Sequence, residues 1–332
     1  MTGGLNELAA SLGIDPLVPT TPPSPRFTTL VRTQGRRPDS LAEALRSIAA
    51  QTYDDHETVL LVHDPDPTTA EQVAAGLPAD ATPPDLRIVS VTDGDRSRPL
   101  NVGLESATGD YVCMLDDDDL VTDSWLAEFA AGATTAPGTM IRAIALSEPW
   151  SSDGGFQPVR PTGPRTREHA DVFDLLAHLS HNETPLCSVA LPLAAMRRFE
   201  LSFDEDLPVY EDWELFMRVA QICGVTSIDA ETSIYRRLDH GNANTEVDER
   251  VWHETHGRVI DRLSSRPVLV PAGDARRIAS AHFVPGGGSR WEDDHAAAQR
   301  EVDALTRSPL RFGRAFLGRL RGAIANRTPG RT

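Results

Sequence analysis

From Phe27 onward the chain alternates short apolar runs with amphipathic stretches. "FTTLVRT" has the near-continuous apolar and β-branched character of a buried strand. In "PDSLAEALRSIAAQ", Leu41, Leu45 and Ile48 fall on one helix face, and Ser40 and Glu43 are spaced as a capping box. "ETVLLVH" predicts a second buried strand, broken by "DPDP". A weaker helical pattern over 68–77 leads to "LRIVSV" as a third strand. "PLNVGLESATG" predicts a helix stopped at Gly109, and "DYVCML" a fourth strand. "TDSWLAEFAAG" resumes helix with Thr122 or Asp123 as its cap, and "TMIRAIAL" predicts a fifth strand.

Strands of this kind, separated by amphipathic helices, predict a parallel sheet covered on both faces. Such sheets bind ligands outside the carboxyl ends of their strands. The segment 150–170, rich in Pro, Gly and Arg, is expected to be a loop. A second unit follows, with "PLCSVALP" as a strand, a short helix at 192–199 and a helix entered near Glu211. "VTSID" and "TSIYRR" predict two short strands. Beyond 245 the pattern is mostly helical, interrupted by the linker "VPGGGSR".

Composition narrows the class. A chain of 332 residues makes one large or two modest domains. Its net charge of −17 argues against a nucleic-acid partner, because phosphate binding needs a basic surface. Every basic residue is arginine. Cys113, Cys187 and Cys223 are scattered through apolar runs without metal or disulfide spacing, as expected in a reducing compartment. The first 25 residues are Pro/Thr-rich and lack the basic start and apolar core of a secretory signal, so residues 1–25 are expected to be disordered. No apolar stretch is long enough to span a bilayer, and a cytoplasmic protein is expected. The tail "SPLRFGRAFLGRLRGAIANR" places Leu310, Leu317, Leu320 and Ile324 at helical intervals among arginines. Such a helix suits either peripheral contact with the inner face of an anionic membrane or packing on the rest of the protein.

The candidate chemistry begins where the fourth strand ends in Asp116, Asp117, Asp118 and Asp119. Like charges about 4 Å apart repel by roughly 1 kcal/mol in water and roughly 4 kcal/mol at an effective dielectric of 20. A cation or a set of donors must gather there. If the extended backbone persists, Asp116 and Asp118 share a side, and two hard oxygen ligands suit Mg²⁺ or Mn²⁺ completed by substrate phosphates. Helix capping accounts for Asp123, and for Asp119 at most, but not for the whole run. Glu211 and Asp212 open a helix, where the macrodipole favours acids, so charge alone leaves them divided between capping and chemistry.

Taken in order, "VRTQGRRPDSLAEALRSIAAQTY", "VLLVHD", "RPLNVGLESATGDYVCMLDDDDL" and "FDEDLPVYEDWELFMRVA" resemble the family 2 glycosyltransferases of the GT-A fold, over about residues 27 to 240. The resemblance implies an α/β fold, a GT-A type Rossmann-like mostly parallel sheet flanked by helices, with a helical C-terminal extension. It implies a glycosyltransferase domain at 26–244, with a nucleotide-binding half at 26–146 and an acceptor and catalytic half at 147–244. A helical extension at 245–305 and the basic amphipathic tail at 306–332 complete the chain.

By the same resemblance, Thr33 and Arg36 hold the nucleotide, Asp64 touches its base, and Arg98 and Asn101 hold ribose and diphosphate. Asp116 and Asp117 bind the donor, and Asp118 carries a divalent cation, Mn²⁺ or Mg²⁺, across the two phosphates. Asp212 is the general base and Glu211 its support. His240 is a candidate third metal ligand, with a surface loop histidine as the alternative, and Arg236 or Arg237 is available to the phosphates.

The implied reaction is inverting, metal-dependent transfer of a single hexosyl-type sugar from a UDP-, GDP- or dTDP-sugar to a glycan, lipid-linked or small-molecule acceptor. Gln34-Gly35 and Asp64-Pro65-Asp66 depart from the family's usual residues at the base pocket, which leaves the nucleotide open. Gly287 stands where processive members carry glutamine before Arg290-Trp291, so single transfer is expected. The alternatives are a sugar-phosphate nucleotidyltransferase, for which "RTQGRRP" is a poor first loop, and a non-catalytic binding protein, which would not need both acid motifs.

Overall fold

Phe27, Leu30 and Val31 are fully buried because β1 (Phe27–Thr33) lies between two parallel neighbours, β2 (His56–His63) and β4 (Tyr111–Asp116). β3 (Leu86–Val91) extends this block beyond β2, also in parallel. The computed structural model describes residues 4–152, 157–240, 246–271 and 274–282. Alternate residues of the parallel block point to opposite faces, and both faces are apolar. Leu30, Val59, Leu61, Val112 and Met114 join one core with α4 (Arg98–Ser106) and α8 (Glu211–Cys223). Val31, Leu60, Val62, Cys113 and Leu115 join the other with α2 (Pro38–Ala49) and α5 (Trp125–Thr135).

Among the described residues the sheet has nine strands, eight of them in the order β3-β2-β1-β4-β8-β6-β9-β5 and the ninth, β7, paired beside β6. β8 (Val189–Pro192) runs antiparallel between β4 and β6 (Met140–Ser152), so the sheet is mixed rather than wholly parallel. A parallel return would need a helical crossover. Instead the chain leaves β6 through a hairpin with β7 (Pro158–Pro161), and Thr184 and Pro185, just before β8, lie in the cleft beside the ends of β1 and β4. β9 (Val225–Leu238) pairs with β6 in parallel and with β5 (Leu120–Val121) in antiparallel. The two strands expected over "VTSID" and "TSIYRR" are thus one. A register shift carries the pairing from Ser227 to Glu231 and absorbs the polar interruption.

Two further expectations change. Residues 4–25 are not disordered. Helix α1 (Leu5–Leu12) packs against α8, and the Asn6 side chain accepts from the backbone N–H groups of Leu17 and Val18 and donates to the Val18 carbonyl. Ala9 and Val18 are buried, and Thr21 accepts from the Gly138 N–H and donates to the Tyr111 hydroxyl. Gly138 has φ +82°, and a Cβ there would stand 2.4 Å from the Pro19 carbonyl oxygen, so only glycine admits this strap. Its Pro/Thr composition misled because its order comes from tertiary contacts.

The capping assignments also differ. α2 starts at Pro38, and the Ser40 hydroxyl donates to the Asp117 carbonyl instead of capping. α5 starts at Trp125 with Ser124 before it, rather than with Thr122 or Asp123 as cap.

The three cysteines are free and buried. Helix α9 (Glu249–Ser264) buries Val259 and Leu263 in the core that α8 helps to build. Among the described residues no helix is long and apolar enough to cross a membrane. The linker "VPGGGSR" and the 306–332 tail lie outside the described residues.

Val18→Ala should lower stability by about 1–3 kcal/mol, as expected for truncating a buried aliphatic side chain. Urea titration against wild type checks this, and a disordered strap would give no change.

Candidate active site

Arg32 and Asp116 are register partners on adjacent parallel strands, each at its strand's carboxyl end. The guanidinium therefore meets the carboxylate side by side, with Nε 2.9 Å from Oδ1 and Nη2 2.9 Å from Oδ2. This planar two-point contact is the geometry in which arginine exceeds a point charge. Nη1 of Arg32 donates to the Arg96 carbonyl at 2.8 Å and stands 3.5 Å from Glu211 Oε1. Burial, the largest single effect, pushes the Asp116 carboxyl up, but the Arg32 charge and hydrogen bond, together with the charges of Arg96 and Arg37, outweigh it and hold the group below the usual carboxylate range.

The extended backbone does not persist past Asp116. The chain turns, with the Asp119 N–H donating to the Asp116 carbonyl, so Asp116 and Asp118 do not act as a strand-face pair. Asp117 accepts from the Thr33 hydroxyl at 2.5 Å. Arg37, at the mouth of α2, stands with one nitrogen, Nη1, 2.8 Å from Asp117 Oδ1 and 2.8 Å from Asp118 Oδ2. Asp119 turns inward and accepts from the backbone N–H of Arg236. Burial raises the Asp118 carboxyl, Arg37 opposes this, and crowding by Asp117 and Asp116 adds to the rise. Asp119 is also pushed well above the usual carboxylate range, by burial and then by the charges of Asp118 and Asp116.

Facing this turn is the start of α8. Tyr210 precedes it in the left-handed region at φ +61°, a strained conformation for a bulky side chain. Its ring is held edge-on against Trp213 and Trp252, at centroid distances of 5.4 Å and 4.9 Å. Glu211 is only 3% exposed, 2.7 Å from Arg96 Nε as well as near Arg32. Asp212 accepts from the Trp213 N–H through Oδ1 at 2.7 Å, and Asn182 donates to Oδ2 at 3.3 Å. Burial and then the neighbouring Glu211 carboxylate push Asp212 up to about 7.

These elements enclose a cleft of about 720 Å³, within the range of small-molecule sites. Of the residues singled out in the sequence, it brings together Thr33, Arg36, Asp116, Asp117, Asp118, Glu211 and Asp212. Asp64, Arg98, Asn101 and His240 do not line it. Asn101 bridges to the Phe203 backbone and to Glu205, bracing α4 against the approach to α8. Arg98 stands 3.6 Å from Glu205, Asp64 accepts from the Asp66 N–H, and His240 is exposed just past β9. Arg236 does line the cleft, with its guanidinium 4.2 Å from the Trp150 ring and paired with Glu43; Arg237 pairs with Glu168 outside it.

Sequence reasoning missed Arg32, Arg37, Arg96, Asn182 and Trp252. Arg32 carried a signal, as the one charge in an otherwise buried strand. The others sit in loops or on a helix that only tertiary folding brings to the cleft. Among the described residues no group of three or more His, Cys, Asp or Glu side chains could hold a metal ion unaided.

Residues 31–155 match the family model described as Glycosyl transferase family 2. Those residues carry a family 2 glycosyltransferase domain. It is 26% identical over 249 residues to the uncharacterized glycosyltransferase YwdF of Bacillus subtilis (strain 168), covering 73% of this chain and 84% of that protein. It is 27% identical over 238 residues to the succinoglycan biosynthesis protein ExoM of Rhizobium meliloti (strain 1021), covering 68% of this chain and 72% of that protein. The crystal structure of S. aureus TarS 1-349 in complex with UDP-GlcNAc superposes with a TM-score of 0.49 at 19% identity, over 76% of this chain and 69% of that one. Of the longer TarS structure this chain spans 42%.

Replacing Arg32 with glutamine should destabilise the glycosyltransferase by about 3–5 kcal/mol, because Asp116 and Glu211 lose a buried partner. Chemical denaturation measures this, and Arg32→Lys should recover only part of the loss, since a point charge cannot bind both oxygens.

Proposed function

We propose that this glycosyltransferase moves a single hexosyl-type sugar from a nucleotide-diphosphate sugar to an acceptor hydroxyl, with inversion and with a divalent cation, Mn²⁺ or Mg²⁺, on the donor. The observation that carries the reading is Asp212, a carboxyl raised to about 7 inside the cleft and opposite a turn of crowded carboxylates. A base poised near neutral pH is suited to take a proton from a hydroxyl. The acceptor oxygen attacks the anomeric carbon, its proton passes to Asp212, and the bond from that carbon to the phosphate oxygen breaks with its electron pair leaving on the nucleotide diphosphate. One base and one displacement need no covalent intermediate, which is the reason to expect inversion.

The acid turn fits a cation by the chemistry of its donors. Asp117 and Asp118 converge on one positive nitrogen of Arg37, so their oxygens already serve a single cationic point. Mg²⁺ and Mn²⁺ accept one or two carboxylates with substrate phosphates completing the shell. Asp118, with Asp117 beside it, would hold the ion, which would neutralise charge on the departing diphosphate. Arg36 and Thr33 stand at the same end of the cleft for the donor. The role of ExoM in succinoglycan biosynthesis supports a glycan as acceptor and envelope or extracellular glycan assembly as the setting.

Hydrolysis of a panel of UDP-, GDP- and dTDP-sugars with Mn²⁺ tests the assignment. Asp118→Ala should abolish turnover and weaken metal-dependent nucleotide binding at least tenfold. Asp212→Asn should abolish transfer while calorimetric donor binding stays within twofold, and retained transfer refutes the base. In wild type, kcat/KM should rise with pH through about 7 as Asp212 loses its proton. The folded protein holds that proton more tightly than the unfolded chain, so its contribution to stability is present at low pH and lost as pH climbs from the ordinary carboxylate range through about 7. Asp212→Asn should remove that part of the pH dependence of Tm.

A further inference from the structure

Asn182 lies in the segment between α6 (Leu175–His178) and β8, on the wall of the cleft facing α8. Its Oδ1 accepts from the Thr184 N–H at 3.0 Å. That bond fixes the amide's orientation, so the NH₂ group faces Asp212 Oδ2, 3.3 Å away. The segment itself is anchored from below. The Thr184 hydroxyl bonds Arg142 Nε at 2.9 Å and His178 Nε2 at 2.7 Å, and Arg142, 1% exposed, also donates to the carbonyls of Ala170 and Glu183. The donor end of Asn182 is thus held in place by a buried network behind the cleft wall.

The two oxygens of Asp212 are unequal. Oδ1 is held at 2.7 Å by the Trp213 N–H of its own helix. Oδ2 receives the longer bond from Asn182 alone among the described hydrogen bonds, which leaves it a lone pair. We infer that Asn182 is the positioning residue for the base, fixing the carboxylate plane so that Oδ2 is the oxygen that takes the acceptor proton. This rests on the proposed function, in which Asp212 is the base. A donor aimed at the ionised carboxylate also favours that form. The other titratable or charged groups around Asp212 are Glu211 and Tyr210 on its own segment, Arg32 at the end of β1 and Arg96 before α4. His181 and Glu183, which flank Asn182, bond each other, and His256 of α9 bonds the Ser180 carbonyl.

Two variants separate positioning from simple support of the loop. Asn182→Asp keeps the oxygen that accepts from Thr184, so the segment retains its anchor, but it replaces the donor with a like charge. Asn182→Ala removes both. The full-length chain is used in each case, with the member of a UDP-glucose, UDP-N-acetylglucosamine, GDP-mannose and dTDP-glucose panel that wild type hydrolyses fastest with Mn²⁺. Both variants should lose roughly tenfold or more in kcat with donor KM within twofold. The acid limb of kcat/KM should move upward by roughly half to one pH unit in the alanine variant and further in the aspartate variant.

Carbon-13 carboxyl titration of Asp212, assigned against Asp212→Asn, reads the same shift without any donor. An unmoved Asp212 titration in both variants overturns the inference, whatever happens to the rate. If wild type hydrolyses no donor but Asp212 titrates as described, the enzyme reading fails while the hydrogen bond to the carboxylate stands, and the assignment of the proton-accepting oxygen falls with the reading.

Discussion

The paired contact of Arg32 with Asp116 is the constraint on which the site depends. It spans two neighbouring parallel strands, β1 and β4, at the point where both end, so the register of the sheet and the position of the acid turn are one fact. Six carboxylates, Asp116 to Asp119 together with Glu211 and Asp212, line one cleft. Left to repel one another in a partly desolvated space they would open it. Arg32 and Arg96 hold Glu211, Arg32 holds Asp116, Arg37 joins Asp117 to Asp118, and the backbone N–H of Arg236 satisfies Asp119.

This arrangement sorts carboxylates of the same chemistry into different tasks. Asp116 has a full arginine against it and stays ionised, which suits a fixed element of the wall. Asp212 has a carboxylate neighbour, one backbone donor and a weak side-chain donor, and its proton is held near neutrality. Opposed environments for nearby acids are how a protein assigns acid and base roles with one residue type. The aromatic contacts of Tyr210 fix the strained backbone immediately before this pair, so the direction in which α8 launches Glu211 and Asp212 is set by packing with Trp213 and Trp252.

Much of this was legible in the chain. The strand–helix alternation gave the parallel block because each strand is apolar on both faces, and the acid run and the Glu211-Asp212 pair marked the two walls of the cleft. What the pattern could not carry were partners brought from afar. Arg37 and Arg96 look like ordinary surface arginines until the sheet closes, and Asn182 sits in a stretch with no periodicity. Ser40 matched a capping motif, yet its hydroxyl serves Asp117, because a tertiary acceptor displaced the local one. β8 was visible as a strand but not in direction, since direction depends on the connection rather than on the residues of the strand. The segment at 4–25 is ordered by α8, Tyr111 and Gly138, none of which its own composition could announce.

The antiparallel insertion of β8 has a consequence for synthesis. β1 to β4 can pair as soon as residue 116 has left the ribosome, but the open side of β4 is closed only by residues 189–192. At roughly 5–20 residues per second that edge waits several seconds, bearing Val112 and Cys113 toward an unfilled position. The nascent protein is therefore most prone to wrong strand pairing, and most in need of chaperone cover, during the translation of its own cleft wall.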